Sequence, residues 1–354
     1  MLYFKKPMSL LMACVLLFSN CNAGRKVSIE KLKKPLNIIL MIGDGMGLAQ
    51  ISAASFVYGG LFMETLLDMG LVKTSSSNDY ITDSAAGATA YSTGVKTYNG
   101  AIGLGPDSIS RITILEEAKA NGKSVGLIAT CSITHATPGS FFGHQLNREM
   151  HNAIAGDFYG KNIDYVAGTG KPYFDIERLL KDGYQVQTGP EVLEMNKSKK
   201  QFWFYNDSID APKAKERGMW LKNASMRGIE HLSQNRNGFF LMIEGSQIDW
   251  GGHDNDFNYT ITELKDFDET IKSVIEFAKK DGNTLVIITA DHETGGLSLN
   301  HGDLKNRTLE TSFASTHHSG IMVPVFAYGP GSERFRGTME NISIHHKMKL
   351  LFGF

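Results

Sequence analysis

Carboxylates, histidines and one well-placed hydroxyl stand at the ends of apolar runs in this chain, and together they describe chemistry on an anion. Thr82-Asp83-Ser84-Ala85-Ala86-Gly87-Ala88-Thr89-Ala90 sets a serine directly after an aspartate and ahead of small, helix-forming residues. The pattern predicts a helix capped by Asp83, with Ser84 in its first turn. A helix start offers unpaired N–H groups and partial positive charge, which favour phosphate and also a serine alkoxide. Taken alone, the stretch is equally an ordinary capped, alanine-rich helix.

Other clusters argue for the chemical reading. Gly43-Asp44-Gly45-Met46-Gly47 follows an apolar run, but Leu48 stands where the third glycine of a dinucleotide fingerprint belongs. The better reading is a tight turn that presents Asp44 to a cation. Glu244, Asp249 and His253 follow a second apolar run, and Asp291 with His292 follows a third. Carboxylate oxygens mixed with imidazole nitrogens are a typical donor set for zinc or magnesium. His317 or His318 is placed to complete such a site. Thr137 precedes Pro138, which biases it towards an extended loop where its hydroxyl can reach a hard cation. Arg148 carries a planar fork that matches two phosphate oxygens. His345 and His346 sit in a C-terminal helical stretch and read as solvent-facing.

These residues need a scaffold that brings strand ends together. Strands are expected at 37–42, 124–129, 165–167, 202–205, 239–243, 284–288 and 322–328, with helices at 112–120, 214–233, 260–280 and 342–351. Apolar strands alternating with helices imply an α/β fold with a mostly parallel sheet covered on both faces. Ligands in such sheets bind beyond the carboxyl ends of the strands.

Residues 1–23 read as an export signal, with Lys5 and Lys6 ahead of the apolar run from Leu10 to Phe18. The run is too short to span a bilayer. Cys21 is a candidate lipid-attachment site, and cleavage after Ala23 is the competing reading. The destination is therefore periplasmic, a cell-surface or outer-membrane lipoprotein, or secreted. Losing the leader removes two lysines and no acid, taking the formal charge from −1 to −3. A near-neutral chain of this kind has no basic footprint for nucleic acid. Of the three cysteines, Cys14, Cys21 and Cys131, too few remain for a disulfide framework, and Cys131 reads as a buried thiol. Residues 24–354 are expected to form a single catalytic domain.

The stretch from Thr82 to Ala90, with Thr93-Gly94-Val95-Lys96-Thr97, resembles the nucleophile signature of alkaline phosphatases. Gly43 to Gly47, His135-Ala136-Thr137-Pro138 with Arg148, Glu244 through His253, Thr289-Ala290-Asp291-His292 and His318-Ser319-Gly320 are similar to that family's other blocks, in order. The resemblance spans essentially the whole mature chain. It implies a three-layer α/β/α sandwich and hydrolysis of phosphate monoesters through a phosphoserine on Ser84. It also implies two zinc ions and one magnesium ion: Asp249, His253 and His318 on the first zinc, Asp44, Asp291 and His292 on the second, and Asp44, Thr137 and Glu244 on magnesium. Arg148 would clamp phosphate and Asp83 would orient it. A homodimer is the family habit.

Two positions depart from the pattern of some bacterial members, which carry aspartate at His135 and lysine at Trp250. Histidine at the first of these is familiar in others. Differences are therefore expected around the third metal. The competing readings are a phosphodiesterase of the same superfamily, against which Thr137, Glu244 and Arg148 speak, and a non-catalytic surface protein that binds phosphate or metal.

Overall fold

Asn37–Gly43 (β1), Phe239–Gly245 (β7) and Thr284–Thr289 (β8) are buried at every residue, as expected of strands covered on both faces. The computed structural model describes residues 34–191 and 198–354; the expected export signal lies outside them. The remaining strands of the main sheet are Asp68–Lys73 (β2), Ser124–Ser132 (β3), Tyr165–Thr169 (β4), Tyr184–Thr188 (β5), Lys200–Phe204 (β6), Val323–Tyr328 (β9) and Gly337–Glu340 (β10). Their order is β10-β2-β9-β8-β1-β7-β3-β4-β6-β5. Only β9 runs against its neighbours, pairing antiparallel with β2 and β8.

Helices cover the sheet in two groups. Leu48–Tyr58 and Trp220–Leu232 pack with Phe257–Asp281, whereas Ser84–Thr93, Ile114–Ala120 and Ile342–Phe352 pack together separately. This is the expected sandwich. Ile38 to Ile42 of β1 are fully buried, and each large aliphatic side chain gains about 1.5–3 kcal/mol over exposure. Among the described residues, no helix is long and apolar enough to cross a membrane.

Several expectations change. The helix expected over 214–233 is two, Ala214–Arg217 and Trp220–Leu232, because Gly218 takes φ 60° and ψ −141° and breaks the run. Thr137 lies in a short helical turn, Ala136–Gly139, and not in an extended loop. Pro138 is tolerated there because first-turn N–H groups have no helical partner to lose. His345 is buried, with Nδ1 donating to the Ser92 carbonyl at 3.0 Å, because the Ile342–Phe352 helix packs on the Ser84–Thr93 helix; only His346 is exposed. The short strands β2, β5 and β10 were not expected.

What matters for function is the centre of the sheet. The run β8-β1-β7-β3 sets four parallel strand ends side by side. Ile42 pairs with Glu244 on one side and Thr289 on the other. Asp44, Glu244, Asp291 and the His135–Thr137 turn therefore emerge at one edge.

Candidate active site

Asp83 caps the Ser84–Thr93 helix, its Oδ1 accepting from the Ala86 N–H at 2.9 Å. Ser84 is the first helical residue, so its hydroxyl leaves from the positive end. All ten residues of this helix are buried. Small side chains permit that: a Cβ on Gly87 would lie 3.1 Å from the Asp291 Cβ. Tyr91 donates to the Ala290 carbonyl at 2.5 Å and binds the helix to the loop after β8.

Ser84 Oγ lies 3.1 Å from His292 Nε2. The same nitrogen is 3.4 Å from Asp44 Oδ1 and 3.4 Å from Asp291 Oδ2. One donor atom from each of Asp44, Asp291 and His292 therefore falls within a 4.8 Å cluster. Asp44 depends on its turn. Gly45 has φ 75°, and a Cβ there would sit 2.7 Å from the Asp249 Cα, so backbone conformation and contact both require glycine.

Asp249 and His253 are one helical turn apart on Gln247–His253 and so share a face, with Asp249 Oδ2 3.2 Å from His253 Nε2. His318 arrives from a short strand, His318–Ser319, that pairs with Glu293–Thr294. Its Nε2 lies 3.1 Å from His253 Nε2 and 3.5 Å from Asp249 Oδ1. The other ring nitrogens are occupied: His253 Nδ1 by the Thr316 carbonyl at 2.6 Å, His318 Nδ1 by the Thr82 carbonyl at 2.9 Å. Such partners fix each ring so that Nε2 is offered to a ligand. His292 stacks on His318 with ring centroids 3.5 Å apart, and it also clusters with Asp249 and His318. His292 thus stands between the two groups.

Thr137 Oγ1 is 3.5 Å from Asp44 Oδ2, and Glu244 Oε2 is 3.5 Å from the buried thiol of Cys131. His135 and Trp250 meet edge to face with centroids 6.1 Å apart. Burial, followed by the charge of Arg148, pushes the His135 imidazole down to about 3. Arg148 donates to Asp83 Oδ2 at 3.2 Å, and that oxygen also accepts from the Gly100 N–H at 3.0 Å. One aspartate therefore both caps the serine helix and holds the guanidinium.

The electrostatics call for cations. Asp44, Glu244, Asp249 and Asp291 are all buried. Asp44 Oδ1, Glu244 Oε1 and Asp291 Oδ2 accept no hydrogen bond. Burial and then the charge of Asp291 raise the carboxyl of Asp44, burial and then the charges of Asp249 and Glu244 raise that of Asp291, and burial raises that of Glu244. Burial and the neighbouring His318 push His292 well below its ordinary value, so its ring is neutral and offers no counter-charge. Buried carboxylates without partners are costly unless protonated or metal-bound, and oxygen donors mixed with neutral imidazoles fit divalent ions. Asp249 differs: burial opposes its charge, yet the His253 hydrogen bond and the nearby histidines outweigh it and keep it low.

The structure brings Ser84, Asp83, Arg148 and the carboxylates and histidines expected to hold metal into one neighbourhood, while His317 is exposed and leaves His318 as the inward member of that pair. Sequence reading passed over Thr294, whose hydroxyl hydrogen-bonds to Asp249 and lies 3.2 Å from His292 Nδ1. Its position two residues after His292 was the available signal.

Residues 35–197 and 206–306 match the family model described as Alkaline phosphatase. The chain is 35% identical to Alkaline phosphatase 4 of Bacillus subtilis, over 94% of this chain and 92% of that protein. It is 31% identical to the alkaline phosphatase of Escherichia coli K12, over 91% and 87% of the two chains. The solved alkaline phosphatase of the Antarctic bacterium TAB5 superposes with a TM-score of 0.86 at 41% identity, covering 92% of this chain and 99% of its own. A mutant of that enzyme has been solved with magnesium bound in its M3 site.

Proposed function

Since the chain belongs to the alkaline phosphatase family, whose members hydrolyse phosphate monoesters, we propose that it acts through a phosphoserine formed on Ser84 at a centre of two zinc ions and one magnesium ion. The observation that carries this reading is the placement of Ser84 Oγ 3.1 Å from His292 Nε2, beside carboxylate oxygens that lack partners. Asp249, His253 and His318 would hold one zinc, and Asp44, Asp291 and His292 the other. Asp44, Thr137 and Glu244 would hold magnesium, with His135 and Trp250 alongside. When bound, the ions would supply the positive charge that lowers the pKa of Ser84, polarises the phosphoryl group and stabilises the leaving oxygen.

The chain's own residues account for the rest. Arg148 binds two phosphoryl oxygens through its fork, held ready by Asp83. Ser84 gives up its proton to solvent as its Oγ bonds to phosphorus, the bond from phosphorus to the ester oxygen breaks, and that oxygen takes a proton from solvent and leaves as the alcohol. Water then attacks the phosphoserine, releasing inorganic phosphate and restoring the hydroxyl. Export to the periplasm, the cell surface or the medium completes the proposal, with lipid attachment at Cys21 and cleavage after Ala23 as its alternative routes. The test is to quench turnover of a phosphate monoester in acid and map phosphate on the protein. Label on Ser84 is the expected result, and turnover without label at that residue would overturn the covalent route.

A further inference from the structure

One buried carboxylate beside the site has no place in the chemistry above. Glu293 is 2% exposed, sits between His292 and Thr294, and is spoken for by four donors. Gln50 Nε2 donates to it at 2.7 Å, the N–H groups of Gly296 and Leu297 each at 3.2 Å, and the Ser319 hydroxyl completes the set. An ionised carboxylate is acceptor-only with about four lone-pair sites, so this environment fits it and would set an amide N–H₂ against donors.

Those donors belong to the segments that carry the proposed metal ligands. Gln50 lies just beyond the Asp44 turn, and it also donates to the Thr294 carbonyl at 2.9 Å. Gly47, the last glycine of that turn, gives the Glu293 side chain its room: a Cβ there would sit 2.3 Å from Glu293 Cγ. Ser319 follows His318, and the pairing aligns Ser319 with Glu293 and His318 with Thr294. Asp291 and His292 directly precede Glu293. One side chain therefore touches three of the four segments that carry the proposed zinc ligands, the fourth being the Gln247–His253 helix.

We propose that Glu293 is a positioning residue whose carboxylate locks the Asp44 turn, the Asp291–His292 loop and the His318 strand at metal-binding separation. The inference rests on the metal-centre reading above. A merely structural Glu293 would lower the stability of the metal-free protein and leave metal affinity alone, whereas a positioning role reduces affinity itself.

The experiment is zinc retention under competition with a chelator of known affinity, with metal-free unfolding midpoints measured in parallel, for the wild type, Glu293→Gln and Ser319→Ala. Glu293→Gln is expected to weaken zinc retention by about tenfold or more, the usual cost of removing a partner that supports metal ligands, and its lost turnover should return with excess zinc. Ser319→Ala, which removes one half-buried hydroxyl, should give a smaller shift in the same direction and decides the matter if Glu293→Gln does not fold. Retention within about twofold of wild type in every variant that folds would overturn the proposal. A wild type that binds zinc but turns over no monoester would instead overturn the proposed function and leave the zinc comparison readable.

Discussion

Ser84 Oγ and His292 Nε2 lie 3.1 Å apart although the two residues are separated by 208 positions in the chain. The contact joins a helix start to the loop after β8, where the hydroxyl meets carboxylates that each keep one oxygen without a hydrogen-bond partner. Ser84→Ala removes only that oxygen. It is expected to lower monoester turnover by roughly three orders of magnitude or more, the scale of losing a nucleophile, while zinc binding and the unfolding midpoint stay near wild type. Steady-state kinetics beside a metal assay would check this.

Arg148 and Asp83 form a unit. Burial works against the charge of the guanidinium, but Asp83 and Asp44 outweigh it and hold it firmly protonated. Arg148→Ala should raise the inhibition constant for inorganic phosphate by about tenfold or more, the scale of one lost charge-assisted pair. Asp83→Ala should have a smaller effect on phosphate and an added stability cost of about 1 kcal/mol from the lost helix cap. Product-inhibition and thermal-unfolding measurements separate the two.

Metal removal should destabilise the fold as well as silence it. Four buried carboxylates share this region, and three of their oxygens have no hydrogen-bond partner. Zinc at about a thousand times its dissociation constant would add about 4 kcal/mol. A scan of chelated protein against zinc-reconstituted protein should show the unfolding midpoint rising by several degrees. Equal midpoints would contradict the placement of a cation there.

His345 gives the fold an acid-sensitive joint. Burial lowers its imidazole from 6.5 to about 4, and its neutral ring donates to the Ser92 carbonyl of the serine helix. Between those values the unfolded chain binds more protons than the folded one, so stability rises with pH through this window. The contribution is present above about 6.5 and is lost as pH falls towards about 4. Unfolding midpoints at pH 4–6.5 should fall more steeply for wild type than for His345→Gln.

The core strands were legible because burial on both faces makes β1, β7 and β8 continuous apolar runs. Asp249 and His253 were legible because they follow the apolar run of β7 as a carboxylate and imidazole donor set, whereas the helical face they share came only from the structure. The strand β2 was not, since its burial alternates weakly through Asp68–Lys73, and the edge strand β10 is only four residues long. His345 was misjudged because a C-terminal helix shows its own polar face in sequence, while the helix that covers it lies some 250 residues earlier. Glu293 and Thr294 drew no reading from the sequence, because only the pairing with His318–Ser319 reveals what they hold.

The central claim is monoester hydrolysis at a metal centre with an arginine clamp. The most direct measurement compares turnover of p-nitrophenyl phosphate with bis-p-nitrophenyl phosphate by protein reconstituted with zinc and magnesium, beside a chelated control. Strong preference for the monoester, abolished by chelation, is the expected result. Preference for the diester, or monoester turnover that survives chelation, would contradict it.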